Sequence, residues 1–172
     1  MTKPVAVLVG PMGAGKTTVG RQLAATWGVT LRDTDEDVEA VAGKSVQDLF
    51  VDEGEAHFRR LERAAVAAAL AEHDGVVALG GGAVLDPGTR RLLHGHDVVY
   101  LKVGLADAVK RVGLGSGRPL LLGNVRARLK ALLDERSPIY ESLARVVVET
   151  DGRSTDEVVS DIRSALTGER QR

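Results

Sequence analysis

The octapeptide Gly10-Pro11-Met12-Gly13-Ala14-Gly15-Lys16-Thr17 fits G-x-x-x-x-G-K-[ST], a spacing suited to phosphate. Its glycines let the backbone turn tightly and aim several N–H groups at one point, and a helix N-terminus there adds roughly half a positive charge. A polyphosphate is the natural occupant. Lys16 reaches the outer phosphates as a point charge, and the Thr17 hydroxyl is a ligand for Mg²⁺.

Asp33 and Asp35 stand two residues apart in Val29-Thr30-Leu31-Arg32-Asp33-Thr34-Asp35, so in extended chain both carboxylates project to one side. Beside a phosphate loop they suit two tasks: Asp33 holds a Mg²⁺-bound water, and Asp35 orients a substrate hydroxyl or takes its proton. The same stretch also reads as a helix start, with Thr34 or Asp35 capping a helix that begins near Glu36. Farther along, Val76-Val77-Ala78-Leu79 runs into Gly80-Gly81-Gly82. Three successive glycines are costly to order, each by roughly 0.5–1 kcal/mol against alanine. Either something approaches that backbone closely, with the Gly81 N–H meeting a substrate hydroxyl or carboxylate, or the run is a tight turn.

The arginines add positive charge. Arg59 and Glu62 lie three apart on a helical pattern holding Phe58, Leu61, Ala65 and Ala69, which makes them neighbours and gives Arg59 an oriented fork. Val125, Leu129 and Leu132 step at helical spacing toward Arg136, whose guanidinium is expected to face inward and to need an anion, with Pro138 ending the helix. For both arginines a structural carboxylate is the alternative partner. Glycines spaced closely around Arg118, in Gly113-Leu114-Gly115-Ser116-Gly117-Arg118-Pro119, suggest a flap that carries positive charge over a phosphate. Arg111 and Arg153 are candidates for an adenine contact or for plain solvation, and Ser154-Thr155-Asp156-Glu157 is a capping box opening the last helix.

Short apolar runs at Val5–Val9, Val29–Asp33, Val76–Leu79, Val98–Val103 and Val146–Glu149 must position these groups. Helical patterns separate them, the first spaced by Val19, Leu23, Ala24 and Trp27 up to a cap at Gly28. Strands alternating with helices predict an α/β domain of three layers with a parallel sheet, whose ligands gather at the carboxyl ends of the strands. The phosphate loop, Asp33–Asp35 and Gly80–Gly82 all follow predicted strands.

In order and spacing, the loop Gly10–Thr17, Asp33-Thr34-Asp35, Phe58-Arg59, Gly80-Gly81-Gly82, Arg118-Pro119-Leu120-Leu121 and Arg136-Ser137-Pro138-Ile139-Tyr140 closely resemble the shikimate kinases. The resemblance runs from the first strand to the last helix. It implies a P-loop, nucleoside-monophosphate-kinase-like fold with a five-stranded parallel sheet, a substrate-binding helical region at about 33–61 and a lid at about 113–124. It also implies transfer of phosphate from ATP to the 3-hydroxyl of shikimate. On the same footing, Gly13, Ala14, Gly15, Lys16, Thr17 and Thr18 are the implied phosphate cradle, with Thr17 at the metal, where the residue pattern also expects Asp33. Asp35, Arg59, Gly81 and Arg136 are the implied shikimate contacts, with Gly80 and Gly82 expected beside them from the glycine run, and Lys16, Asp35 and Arg118 are the expected catalytic groups. Arg118 is implied to touch ATP, and Arg111 and Arg153 to lie beside the adenine.

With 172 residues and 44% hydrophobic content, the chain fits a single domain, 1–172. A net charge of −1 argues against coating nucleic acid, and no apolar run approaches the ~18 residues a membrane span needs. The absence of cysteine excludes disulfides and thiolate chemistry and fits a reducing cytoplasm. His57, His73, His94 and His96 lack ligand spacing, so Mg²⁺ is the one metal expected, and a monomer is the expected state. The rival readings are a kinase for gluconate or a nucleoside monophosphate, and a nucleotide-dependent switch. The second lacks an [NT]-K-x-D guanine signature and has little use for an inward Arg136.

Overall fold

Each β-branched run becomes a strand and each helical pattern a helix in the computed structural model, which describes residues 3–116 and 122–170. In chain order the strands are β1 (Ala6–Val9), β2 (Leu31–Asp33), β3 (Val76–Ala78), β4 (Val98–Lys102) and β5 (Val146–Glu149). The helices are α1 (Lys16–Thr26), α2 (Thr34–Ala42), α3 (Val46–Glu72), α4 (Pro87–Leu93), α5 (Leu105–Ser116), α6 (Leu122–Leu143) and α7 (Thr155–Arg170). All strand pairs are parallel, in the order β2-β3-β1-β4-β5.

Strand side chains alternate between two apolar layers, as period-two geometry requires. Ala6 and Leu8 pack with Leu23 of α1 and with Val158, Ile162 and Leu166 of α7. Val7 and Val9 face the other way, onto Val66 and Leu70 of α3, Leu93 of α4 and Tyr140 of α6. The sheet is therefore covered on both faces. A third cluster, of Val38, Leu49 and Phe58, ties α2 to α3 beyond the sheet edge.

Register decides where chemistry can gather. Leu8 of β1 and Asp33 of β2 both pair with Ala78 of β3, so the three strands end level and their following loops emerge side by side. Local signals begin the helices. Ser45 accepts from the Asp48 N–H at 3.1 Å, and Ser154 and Glu157 form the reciprocal capping box, with 3.2 Å from Glu157 N to Ser154 Oγ.

One helical detail departs from the sequence reading and another adds to it. Pro138 does not end α6, which runs on to Leu143. A proline has no N–H to return to the previous turn. Beyond it, however, Tyr140 is fully buried against Tyr100, with ring centroids 5.0 Å apart, and this packing holds the last turn in place. Within α3, Gly54 adopts φ 85°, ψ 166°, so the stretch bearing Leu49 and Phe50 leaves the axis of the stretch bearing Phe58, Arg59 and Glu62. The centre of the expected lid, residues 117–121 with Arg118, lies outside the described residues.

Candidate active site

After Val9 the chain turns into α1, with Gly15 at the cap in left-handed conformation, φ 87°. No acidic residue stands in the first turn of α1, so nothing on that turn cancels the positive end of the helix. Lys16 folds back over the loop, its Nζ donating to the carbonyls of Gly10 at 2.7 Å and Pro11 at 3.0 Å. Burial lowers its pKa to about 8; Asp35 and Asp33 oppose that shift, and Arg136 reinforces it.

Asp33 closes β2 and serves two neighbours. Its Oδ1 accepts from the Asp35 N–H at 2.9 Å, which makes it the N-cap of α2 in place of Thr34 or Asp35. Its Oδ2 accepts from the Thr17 hydroxyl at 3.2 Å. A hydroxyl and a carboxylate held side by side are hard oxygen donors of the kind that bind Mg²⁺ together with phosphate oxygens and water. The pair fits that ion. Among the described residues no group of three or more His, Cys, Asp or Glu could hold a metal unaided.

Asp35 sits one residue into α2, half-buried, and its pKa rises to about 6. Burial is the main cause, followed by the like charges of Asp33 and Glu62, while Lys16 opposes them. The glycine run is packed closely by these groups. A Cβ on Gly80 would stand 2.6 Å from Asp35 Oδ1, and one on Gly82 would stand 2.5 Å from a terminal nitrogen of Arg59. Close approach, rather than turning alone, therefore accounts for glycine at both positions. Among the described residues no group accepts from the N–H of Gly80, Gly81 or Gly82.

Arg59 Nη1 donates to Glu62 at 2.7 Å, and its guanidinium lies 5.2 Å from the centre of the Phe58 ring. Glu62 is 4% exposed; burial raises its pKa, and the Arg59 hydrogen bond and charge pull it back. Arg136 comes in from α6, with Nε buried and no hydrogen-bond partner among the described residues. One of its terminal nitrogens lies 3.6 Å from where a Cβ of Gly81 would be.

All these groups line one cavity of about 510 Å³. Lys16, Asp35, Arg59, Gly81 and Arg136 are among its polar wall, and Phe50, Phe58, Leu129, Leu132 and Leu133 form the apolar side. A second cavity, of about 260 Å³, shares Gly13, Gly15 and Thr18 with the first and adds Arg111, Thr150, Arg153 and Thr155. The phosphate loop is thus the partition between two chambers.

The shikimate kinase family model matches residues 12–167. The chain belongs to the shikimate kinase family. The shikimate kinase of Salinispora arenicola is 61% identical over 95% of this chain and 98% of its own, and that of Thermobifida fusca is 60% identical over 96% of each. Among solved structures, the shikimate kinase of Acinetobacter baumannii in complex with shikimate superimposes with a TM-score of 0.91, at 32% identity over 100% of this chain and 97% of that one. The shikimate kinase of Aquifex aeolicus gives 0.81, at 28% identity over 96% and 98%.

Within this shikimate kinase fold, Lys16, Thr17, Asp33, Asp35, Arg59, Gly80, Gly81, Gly82 and Arg136 meet at the first cavity. Ala14, Arg111 and Arg153 line the second. Both of its arginines are already engaged: Arg111 donates to the Gly13 carbonyl at 2.8 Å, and Arg153 to Asp161 at 2.6 Å. Sequence reasoning missed the wall made by Phe50, Leu132 and Leu133, and the double use of Asp33. The break at Gly54 removed any periodic signal for Phe50. The cap, Asp33, lies one residue before Thr34 and two before Asp35, the positions the residues suggested.

Proposed function

We propose that this shikimate kinase family member transfers the terminal phosphoryl group of ATP to the 3-hydroxyl of shikimate, as a single kinase domain over residues 1–172. The carrying observation is the convergence of Arg59 and Arg136, from separate helices, on the cavity that also holds Lys16 and Asp35. A carboxylated polyol is what such a chamber suits. Two guanidinium groups grip the carboxylate, and the N–H groups of Gly80 to Gly82, which have no partner among the described residues, meet its oxygens. Burial of these groups in a partly apolar chamber strengthens each charge–charge contact. The Gly13–Thr18 loop holds the phosphates, and the cavity with Arg111 and Arg153 takes the base.

In the reaction a bond forms between the acceptor oxygen and the γ-phosphorus while the bond to the β,γ-bridging oxygen breaks. Asp35 orients the hydroxyl and accepts its proton, a task for which a carboxylate pushed up to about 6 is well matched near neutrality. Lys16, released from its loop carbonyls, follows the charge on the outer phosphates. Thr17 and Asp33 would hold Mg²⁺, which when bound neutralises phosphate charge. Arg118 is assigned to ATP by its glycine-flanked setting in the sequence and by the family resemblance. We further propose a monomer in the cytoplasm; no helix among the described residues is long and apolar enough to cross a membrane.

The test is ADP release from purified protein with ATP and Mg²⁺ against a panel of acceptors. Turnover with shikimate is expected, with little or none on gluconate or nucleoside monophosphates. Phosphorylation of either of those with none of shikimate overturns the proposal.

A further inference from the structure

Tyr140 is fully buried on α6, one turn beyond Arg136, and its hydroxyl donates to the carbonyl of Gly81 at 2.5 Å. Arg136 stands beside Gly81, with a terminal nitrogen 3.6 Å from where a Gly81 Cβ would be. Two points of the acceptor wall and one group buried behind it therefore close a triangle: the glycine run after β3, the Arg136 guanidinium, and a phenol that belongs to neither. In a trans peptide the carbonyl of one residue and the N–H of the next point in opposite directions. Fixing the Gly81 carbonyl therefore also fixes the direction of the Gly82 N–H, one of the three donors with no partner among the described residues.

From this triangle we infer that Tyr140 is a positioning residue for the acceptor, setting the orientation of the Gly81–Gly82 peptide against Arg136 without touching the nucleotide side. Several observations favour this over a role in packing alone. The ring is already secured by Tyr100, at a centroid distance of 5.0 Å and a tilt of 35°, so the hydroxyl is not needed to fill the core. Burial drives the hydroxyl pKa up to about 12, with Arg136 pulling the other way, so the group stays a neutral donor through the working range of pH. Its partner is a backbone carbonyl in the acceptor wall, not in a strand ladder. The Tyr100 hydroxyl, by contrast, reaches among the described residues only Ser137 Oγ, at 3.5 Å.

The inference rests on shikimate being the acceptor, and the test separates the two ideas. Wild-type turnover on shikimate is measured first; without it the proposed function fails, whatever Tyr140 does. In Tyr140→Phe the ring and its stacking remain and only the hydroxyl is lost. The expected result is a rise of about five- to thirtyfold in the KM for shikimate, from loss of one buried hydrogen bond, with the KM for ATP within twofold. Tyr100→Phe, the matched deletion in the same stack, is expected to leave both constants within twofold. A shikimate KM within twofold of wild type in Tyr140→Phe, or a parallel rise in both KM values, overturns the inference.

Should Tyr140→Phe fail to fold, 3-fluorotyrosine labelling of the wild-type chain decides, since it contains only 2 tyrosines. Tyr100→Phe assigns the two ¹⁹F signals. Shikimate alone is expected to shift the Tyr140 signal, and a non-hydrolysable ATP analogue with Mg²⁺ to leave it in place. An unmoved Tyr140 signal at saturating shikimate overturns the inference.

Discussion

Gly82→Ala isolates the grip on the acceptor from the fold that supports it. The backbone at Gly82 has φ −97° and ψ 0°, which alanine also adopts, so the chain itself resists little. The added methyl would stand 2.5, 2.6 and 2.9 Å from Nη2, Nη1 and Cζ of Arg59. An ordinary contact is about 3.5 Å, so the guanidinium must retreat by about 1 Å. Arginine is long and can do so, but the movement spoils the alignment of a charged hydrogen bond with an acceptor carboxylate. Such bonds contribute about 1.5–3 kcal/mol, which is about a tenfold to hundredfold rise in the KM for shikimate. The same movement strains the Arg59–Glu62 hydrogen bond, so a small loss of stability is expected, about 1 kcal/mol or a fall of about 2–4 °C in Tm. The KM for ATP should be unchanged within twofold, because Arg59 does not line the second cavity. Steady-state rates with each substrate varied in turn, together with a thermal melt, make the measurement. A shikimate KM within threefold of wild type, in a variant that melts normally, would show that Arg59 does not hold the acceptor.

Removing the other guanidinium separates function from stability more sharply. Arg136→Leu is expected to raise the shikimate Kd by more than about a hundredfold, yet to leave Tm equal or higher, since Arg136 Nε is buried with no hydrogen-bond partner among the described residues and its charge works against that of Lys16; calorimetry and a melt check both halves. Asp35→Asn should lower kcat by about a hundredfold or more with the KM for ATP within threefold, and wild-type turnover in this variant would remove Asp35 from the proton's path. In the free enzyme, protonation of Asp35 as pH falls through about 6 removes its acceptor lone pair, and loss of the Lys16 proton as pH rises through about 8 removes a charge from the phosphate site. Plots of kcat/KM against pH should therefore bend down on both sides of neutrality, with the acid limb moved or abolished in Asp35→Asn, and a flat profile would contradict both assignments.

Much of this was readable from residue order because the informative signals are local. An apolar run followed by a glycine-rich turn or paired carboxylates marks a strand tip, and three such tips came together because parallel register set them level. What escaped depended on tertiary contact. Pro138 is a terminator by every local rule, yet the helix continues because Tyr140 finds Tyr100 and Gly81 across the core. Gly54 is an ordinary glycine in sequence and a change of axis in space. The wall of Leu132 and Leu133 looked like any helical stripe, with nothing in its spacing to tell core from chamber.

The level strand tips also divide the molecule into an end that tolerates change and an end that does not. One extra residue inside β1, β2 or β3 would slide its tip by about 3.3 Å and turn every following side chain to the opposite face. The joints at the other rim, around Gly28, Asp74, Gly95 and Ala144, carry none of the residues lining the two chambers. A tag, a fluorophore or new chain termini grafted at that rim should leave catalysis intact, which makes it the natural handle for tethering this enzyme to a surface or to a pathway neighbour.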